Sequence, residues 1–195
     1  MTRMQRGSEP LKKSFPTLKK RYGKRTYFED EMRSGTRSQS KRRWPPQGHR
    51  PLCQVKLGYE FTYLYCALAP ATGALIALML PEMTRACFEV FVDHFQKQTR
   101  QLHGHHPVVL IADKAGSHQR EVCAQRRIAL QHLPRGCPEL NPVERFFEEL
   151  RKELADHLFD NLRQVEDYLA RILKKYWQHP ELIIKLCHYP YMRTT

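Results

Sequence analysis

The sequence predicts an α/β fold in which a mixed β-sheet is flanked by helices. Short apolar runs bounded by turn residues alternate with longer segments of helical periodicity, in the order strand, hairpin, helix, strand, helix, strand, helix, helix. The chain has 195 residues, of which 41% are hydrophobic, so it is long enough to bury a core of its own.

The first half of the chain supplies three predicted strands. Residues 25–31 form a short strand that ends in acids, and residues 34–50 form an irregular loop rich in Ser, Gly, Lys and Arg. Two apolar runs on either side of the turn at 70–73 predict a hairpin. Thr84 is a candidate N-cap, and the aromatic residues that follow at helical spacing predict an amphipathic helix over 85–99.

The second half adds two predicted strands and three helices. A short apolar run that ends in an acid is typical of a buried central strand. Asn141 followed by Pro142 is an N-cap signal with proline at the first helical position. In chain order the predicted elements are a strand at 107–113, a helix at 118–126, a strand at 127–133, and helices at about 141–157 and 161–177. We therefore expect a folded domain over 25–178, a basic arm over 1–24 and a tail over 179–195.

Positive charge is concentrated near the N-terminus. The formal net charge is +13, and residues 1–50 hold 15 Lys and Arg against 4 Asp and Glu, a net of +11. Such a segment attracts nucleic acid, because each neutralised phosphate releases condensed counterions. A solvated tail that keeps the protein soluble would have the same composition.

Composition also excludes several classes of protein. No apolar run is long enough to span a bilayer, and the N-terminus lacks the apolar segment of a secretory signal. We therefore expect a cytoplasmic protein without a membrane partner. The six cysteines form no C-x-x-C pair, which argues against a zinc ribbon.

Three acids stand at positions where chemistry is common. Asp113 ends the apolar strand at 107–113, where open α/β sheets place their ligand sites. Asp30 holds the same position on the first strand, and strand alternation places Glu29 and Glu31 on the opposite face. Glu144 lies in the first turn of the helix that Asn141 caps. Each has a structural alternative: a turn-forming Asp, an acidic strand end in solvent, and a glutamate that complements the helix dipole.

Together, the three acids predict a divalent-cation site. Carboxylates brought close together repel, and one would take up a proton unless cations neutralised them. Mg²⁺ accepts such a site because it needs few carboxylates and completes its coordination with water and phosphate oxygens. Two ions about 4 Å apart can activate an attacking oxygen and stabilise a leaving one.

The motifs around these acids resemble a known family. The stretches DKAGSH at 113–118 and HLPRGCPELNPVERFFEELR at 132–151 are similar to the signature of DDE transposases, in the insertion-sequence-630 group of the mariner-like superfamily. FEDEMRSG at 28–35 and RWPPQGHRP at 43–51 resemble the family's first acidic block and its Trp-Pro-Gly loop. ALAPATG at 67–73 and LFDNLRQVE at 158–166 resemble its hairpin turn and C-terminal helix entry.

The resemblance implies a function. It implies an RNase H-like catalytic domain over 25–178, with Asp30, Asp113 and Glu144 as catalytic residues that hold two Mg²⁺ or Mn²⁺ ions. It further implies cleavage at transposon ends by water and strand transfer by a DNA 3′-hydroxyl. The expected partners are DNA and a second copy of the chain, with nucleoid association following from DNA binding.

Further residues are candidates for DNA contacts. His118 belongs to the resemblance's signature, and it either reaches the metal site or scissile phosphate or is a capping or packing residue. Trp44 either stacks on an unpaired base or anchors its loop to the sheet. Basic residues of the same loop are the best candidates for contacts to the DNA backbone, namely Lys41, Arg42, Arg43 and Arg50.

Some features depart from the family pattern. Lys114 stands where the family usually has Asn, and a lysine beside a metal-binding Asp could compete with a cation. Residues 1–24 are too short and polar for a helix-turn-helix, so we expect a separate subunit or upstream reading frame to recognise the element's ends. These departures support an alternative hypothesis, an inactive, truncated relic that retains DNA binding only. A further alternative is another RNase H-like nuclease, such as a junction resolvase.

Overall fold

The computed structural model describes residues 15–39, 44–49, 52, 54–187 and 189. Within them, five strands form one sheet in the order β3-β2-β1-β4-β5. The strands are β1 (Thr26–Gly35), β2 (Phe61–Ala69), β3 (Ala74–Leu80), β4 (Val108–Ala112) and β5 (Ile128–His132). The helices that follow β3 are α1 (Arg85–His103), α2 (Arg120–Gln125), α3 (Pro142–Leu154), α4 (Leu162–Gln178) and α5 (Pro180–Leu186). The predicted mixed sheet flanked by helices is confirmed.

The strands combine antiparallel and parallel pairing. β1, β2 and β3 form an antiparallel meander, whereas β4 and β5 run parallel to β1. The parallel ladder between β1 and β4 ends at the pair Phe28–Ile111, while β1 continues alongside β2 to Gly35. Among the described strands, the second half of β1 therefore has a neighbour on one side only, and this leaves an opening beside the end of β4.

The two faces of the sheet carry separate hydrophobic cores, because side chains alternate along each strand. One core contains Phe28 and Ile111 and is covered by α3, α4 and α5. The other contains Tyr27 and Leu110 and is covered by α1 and α2. A side chain on β1 therefore belongs to the α3 face or to the α1 face according to whether its number is even or odd.

The helix starts follow the capping signals of the sequence. The Thr84 hydroxyl accepts a hydrogen bond from the Cys87 amide, and the Asn141 side chain accepts one from Val143. Pro142 opens α3, where its missing amide hydrogen carries no cost. The predicted helix starts at Thr84 and Asn141 are confirmed.

The hairpin turn depends on a glycine. Gly73 has φ of +73°, a left-handed conformation that residues with a Cβ rarely adopt. A Cβ at this position would also collide with the carbonyl oxygen of Pro180. The start of α5 thus packs directly against the turn between β2 and β3.

Both ends of the described chain differ from the predicted arm and tail. Residues 15–22 are helical, and Phe15 and Tyr22 are buried in the α3-face core. Ile183 on α5 is fully buried in the same core. The arm predicted over 1–24 and the tail predicted over 179–195 therefore each contribute a helix to the folded body. The prediction of an arm and a tail is based on the many basic and polar residues, whereas the few apolar residues among them are enough to pack these helices on the core.

Two predicted boundaries also change. The first strand extends to Gly35 rather than stopping at 31, so Asp30 lies within β1 and not at its end. The helix that begins at Pro142 ends at Leu154, three residues earlier than predicted. Among the described residues, no helix is both long and apolar enough to cross a membrane.

Replacing Ile183 tests whether α5 belongs to the folded domain. Ile183→Ala is expected to lower the free energy of unfolding by about 2–5 kcal/mol, as is typical when a buried aliphatic side chain is truncated. The adjacent Ile184→Ala is the matched control, since Ile184 is 38% exposed, and its effect should be about 0.5 kcal/mol. Urea unfolding measures both, and equal effects would contradict the packing of α5.

Candidate active site

Asp30 lies where β1 loses its parallel neighbour. Phe28 pairs with Ile111 in the last rung between β1 and β4, and the acids at 30 and 113 each follow two residues later. Both therefore lie on the α3 face at the same level of the sheet. The Asp30 Oδ1 atom accepts a hydrogen bond from the Glu31 amide at 2.9 Å, and Oδ2 accepts one from the Asn141 side chain at 3.2 Å.

The charge on Asp30 is destabilised by its surroundings. Burial raises the pKa of Asp30 to about 7, with a further contribution from the negative charge of Glu144. The Glu31 amide partly offsets this effect. Near neutral pH, this carboxylate is therefore poised to bind a proton or a cation.

Asp113 follows β4 and is held from two sides. Its Oδ1 atom accepts a hydrogen bond from the Ala115 amide at 2.8 Å and lies 2.9 Å from the Nδ1 atom of His118. The hydrogen bond from His118 holds the pKa of Asp113 below its ordinary value, against the opposing effect of burial. The side chain is 57% exposed, so an ionised carboxylate faces the solvent.

Glu144 enters from the first turn of α3. Arg151, two turns later, approaches it at 3.7 Å. Asn141 links this helix start to β1, because its amide group donates to the Glu29 carbonyl at 2.9 Å as well as to Asp30. One buried side chain thus caps α3 and fixes its N-terminus to the strand that carries Asp30.

The three predicted acids border one space, which we call the acidic pocket. It has a volume of about 420 Å³. Lys114 and Arg135 also line it, so two cationic side chains border the same space as the carboxylates. The structure thus brings together three acids from a strand, a strand end and a helix start, as the sequence predicts.

Oxygen donors of this kind fit a divalent cation. The acids supply only carboxylate oxygens, the ligands that Mg²⁺ and Mn²⁺ prefer. Burial, and after it the negative charge of Glu144, raises the pKa of Asp30, so the ionised form of this acid is destabilised in the pocket. The chemistry of the donor set and its unbalanced charge therefore suit a bound metal.

A second group of charged residues lies on the opposite face of β1. Glu29, Glu31 and His118 place three potential ligand atoms within 4.8 Å of one another, and Glu29 is fully buried. Burial, followed by the charge of Glu31, raises the pKa of Glu29 well above its ordinary value, and His118 opposes this shift. We refer to His118, Glu29, Glu31 and Asp113 as the His118 network.

The predicted DNA contact of His118 does not fit this structure. The side chain has no exposed surface, and its ring packs against Phe88 with centroids 4.8 Å apart. The ring nitrogens face carboxylates rather than the pocket. Of the two predicted roles of His118, that of a packing residue therefore fits the structure better. Its contact with Asp113 connects it to the acidic pocket.

The other predicted contacts have different outcomes. Trp44 is 97% exposed, so of its two predicted roles the anchoring of its loop to the sheet does not fit the structure. The predicted DNA-backbone contacts at Lys41, Arg42, Arg43 and Arg50 lie outside the described residues.

Sequence analysis missed two roles in this region. Alternation correctly places Glu29 and Glu31 on the face opposite Asp30, but the sequence contains no signal that a histidine is buried against them. Asn141 is predicted as a helix cap, whereas its second function, the hydrogen bond to Asp30, depends on tertiary packing.

The sequence comparison gives the family. Residues 25–166 match the sequence profile of the DDE superfamily endonuclease family. The chain belongs to this family. The DDE endonuclease match runs from β1 to the start of α4 and includes all three acids of the pocket. An uncharacterized protein, y4pE/y4sA of Sinorhizobium fredii (strain NBRC 101917 / NGR234), is 27% identical over 128 residues, which cover 65% of this chain and 93% of that protein.

Structural comparison gives the fold. The Mos1 transposase paired-end complex with the left transposon end matches 95% of this chain and 59% of that chain, with a TM-score of 0.68 and 17% identity. The catalytic domain of Mos1 mariner transposase matches 95% of this chain and 88% of that domain, with a TM-score of 0.62 and 16% identity. These matches confirm the predicted RNase H-like fold. The DDE endonuclease chain spans about three fifths of the Mos1 chain in the paired-end complex.

Replacing Asp30 is expected to change how stability depends on pH when divalent cations are removed. The pKa of Asp30 is about 7 in the folded protein against an ordinary value of 3.8. Protonation of Asp30 therefore stabilises the fold fully below the ordinary value, and this contribution is lost as the pH rises through 7. The Asn variant cannot titrate at this position. Between about pH 3.8 and pH 7, the free energy of unfolding of Asp30→Asn relative to wild type should therefore rise by up to about 1.4 kcal/mol per pH unit.

Urea unfolding in EDTA at several pH values measures this difference. Asp167→Asn on the exposed surface of α4 is the matched control and should keep the wild-type slope. The same slope in wild type and Asp30→Asn would contradict a destabilised carboxylate at this position.

Proposed function

We propose that this chain is the catalytic domain of a transposase that cleaves DNA at transposon ends and joins the released 3′ ends to target DNA. The observation that carries the proposal is the convergence of Asp30, Asp113 and Glu144 on one pocket. Membership of the DDE endonuclease family supports nuclease chemistry there. The Mos1 complexes, with a transposon end and after strand transfer, support the choice of reaction.

The three acids are the residues that would hold two divalent cations. Structures of the Mos1 paired-end complex are known with Mg and with Mn. Bound at these acids, such ions would activate the attacking oxygen and stabilise the leaving oxygen of a phosphodiester. Asp30 is suited to this role because a bound cation would offset the burial and the negative charge of Glu144 that raise its pKa.

The remaining pocket residues bind and orient DNA in this proposal. Lys114 and Arg135 line the pocket and carry the positive charge needed to hold phosphate groups beside the acids. Arg151 approaches Glu144 at 3.7 Å and restrains its carboxylate. Farther from the pocket, we assign contacts to the DNA backbone to the basic loop residues Lys41, Arg42, Arg43 and Arg50.

The proposed partners follow from the same reading. The larger Mos1 chain contains segments beyond the region matched here, and we propose that end recognition resides in a separate helix-turn-helix part. A homodimer on paired DNA ends, association with the nucleoid and membership of the insertion-sequence-630 group remain predictions from the family resemblance.

Replacing Glu144 tests the proposal. Glu144→Gln is expected to lower Mn²⁺-dependent nicking of supercoiled plasmid by more than about 100-fold, since even outer partners of metal ligands contribute 10–100-fold. Glu148→Gln, one turn along the same helix and exposed, is the matched control and should nick at the wild-type rate. Gel electrophoresis of the plasmid measures both. Equal activity in the two variants, or none in the wild type with Mn²⁺, would overturn the proposal.

The position of Lys114 favours a second candidate function, a relic that binds DNA without cleaving it. Lys114 lines the acidic pocket, so its ammonium group could occupy the space of a cation. This candidate shares the fold and the basic surface with the first. It differs in the predicted effect of removing one positive charge.

Lys114→Asn separates the two candidates. If Lys114 excludes cations, the variant should bind Mn²⁺ about tenfold more tightly and gain nicking activity, because one unit charge in a partly exposed site is worth about 1–2 kcal/mol. If Lys114 holds a phosphate, the variant should nick more slowly and bind DNA more weakly. Lys174→Asn, on the exposed face of α4, is the control for a general loss of charge. Plasmid nicking and a filter-binding assay read the outcome.

A further inference from the structure

The His118 network connects the two faces of the sheet at the acidic pocket. The Nδ1 atom of His118 lies 2.9 Å from Asp113 Oδ1, and Nε2 lies 3.0 Å from Glu31 Oε1 and 3.4 Å from Glu29 Oε2. The side chains of His118 and Glu29 have no exposed surface, and that of Glu31 is 4% exposed. Asp113 is the one member of the network that reaches solvent.

Both ring nitrogens of His118 face carboxylate oxygens. A neutral imidazole would direct a lone pair at one of the carboxylates, whereas an imidazolium donates to both. Although burial by itself lowers the pKa of His118, the charge of Glu29 and the hydrogen bonds to Asp113 and Glu31 raise it to about 11. His118 is therefore a buried cation between acids.

Glu29 has no other compensation among the described residues. Neither of its carboxylate oxygens has a partner with hydrogen-bond geometry there, and both are buried. A buried carboxylate is costly unless a charge or a hydrogen bond offsets it. The nearest group of opposite charge is the His118 ring at 3.4 Å, which opposes the rise that burial causes in the pKa of Glu29.

The His118 ring has more contacts that restrain it than the Asp113 carboxylate has. Besides the acids, His118 packs on Phe88 and its Nδ1 atom lies 3.2 Å from the Asp113 carbonyl oxygen. On Asp113, His118 and the Ala115 amide both contact Oδ1. Within the described part of the chain, no hydrogen bond is made to Oδ2, which leaves that oxygen for a ligand in the pocket.

We propose that His118 is a positioning residue, held by Glu29 and Glu31 behind the sheet, that orients the Asp113 carboxylate toward a cation in the acidic pocket. The proposal rests on the proposed function, since it assigns Asp113 to a metal. Hydrogen bonds from outer residues orient metal-binding carboxylates and commonly contribute 10–100-fold to metal affinity.

Two amide substitutions separate the halves of the network. In His118→Asn, the amide nitrogen takes the place of Nδ1 and can still donate to Asp113. In His118→Gln, it takes the place of Nε2 and donates toward Glu31 instead. Both are made with Glu29→Gln, so that no buried carboxylate at 29 is left without a counter-charge. The Glu29→Gln protein is the parent for comparison, and melting temperatures establish that all three are folded.

Mn²⁺ affinity is the deciding readout, measured from the free-ion signal in electron paramagnetic resonance titrations. The His118→Gln protein is expected to bind Mn²⁺ about 10–100-fold more weakly than the parent, and the His118→Asn protein within about threefold of it. Equal affinity in all three proteins, or the same loss in both histidine variants, would overturn the proposal. A metal held directly by Glu29, Glu31 and His118, found by elemental analysis of EDTA-treated wild type, would overturn it as well.

Plasmid nicking is recorded separately, so that the two proposals can fail independently. If the variants bind Mn²⁺ in the expected order while the wild type never nicks DNA with Mn²⁺, the positioning role is supported and the transposase is contradicted. A parent that nicks DNA while all variants bind Mn²⁺ equally contradicts the positioning role alone.

Discussion

Repulsion among carboxylates is the constraint on which the rest of this structure depends. Glu29, Asp30 and Glu31 are consecutive on β1, and alternation sends them to opposite faces of one sheet. On the α1 face, the positive charge is built in, because His118 lies between Glu29 and Glu31. On the α3 face, no cationic side chain of the described residues forms an ion pair with Asp30, and burial together with Glu144 raises its pKa to about 7. The same strand thus carries two acids that face a buried histidine on one side of the sheet and one acid that is suited to an external cation on the other.

Much of the fold could be predicted because local signals and tertiary structure agree. The hairpin around Gly73 has turn residues between two apolar runs, and the starts of α1 and α3 have capping side chains. The acids at 30 and 113 could be placed near each other from sequence, since each follows an apolar run of strand length. Asp30 and Asp113 each follow the paired residues Phe28 and Ile111 by two positions. The two acids are therefore neighbours, as predicted, even though Asp30 is not at the end of its strand.

The features that sequence analysis missed all depend on contacts between distant segments. Phe15 and Tyr22 stand among basic residues, so composition predicts an arm, but two rings on one helical face are enough to join the core. Trp44 has the residue type of an anchor and yet is exposed. The burial of His118 depends on Phe88 from α1 and on two acids of β1, and none of these is near it in the chain. Charge and periodicity describe one segment at a time, whereas these outcomes depend on which segments meet.

Buried side chains also explain how the acids of the pocket can be accessible to a ligand and still keep a fixed orientation. A pocket that binds a cation and DNA must leave carboxylate oxygens exposed, and exposed side chains lose their orientation easily. Asp113 is 57% exposed, but it is tied through one oxygen to a ring that is wholly buried on the far side of the sheet. Asn141 performs the equivalent task for Asp30, from a position with 1% exposure. Each of these two acids is thus held by a buried side chain, so that its orientation does not depend on the exposed surface of the pocket.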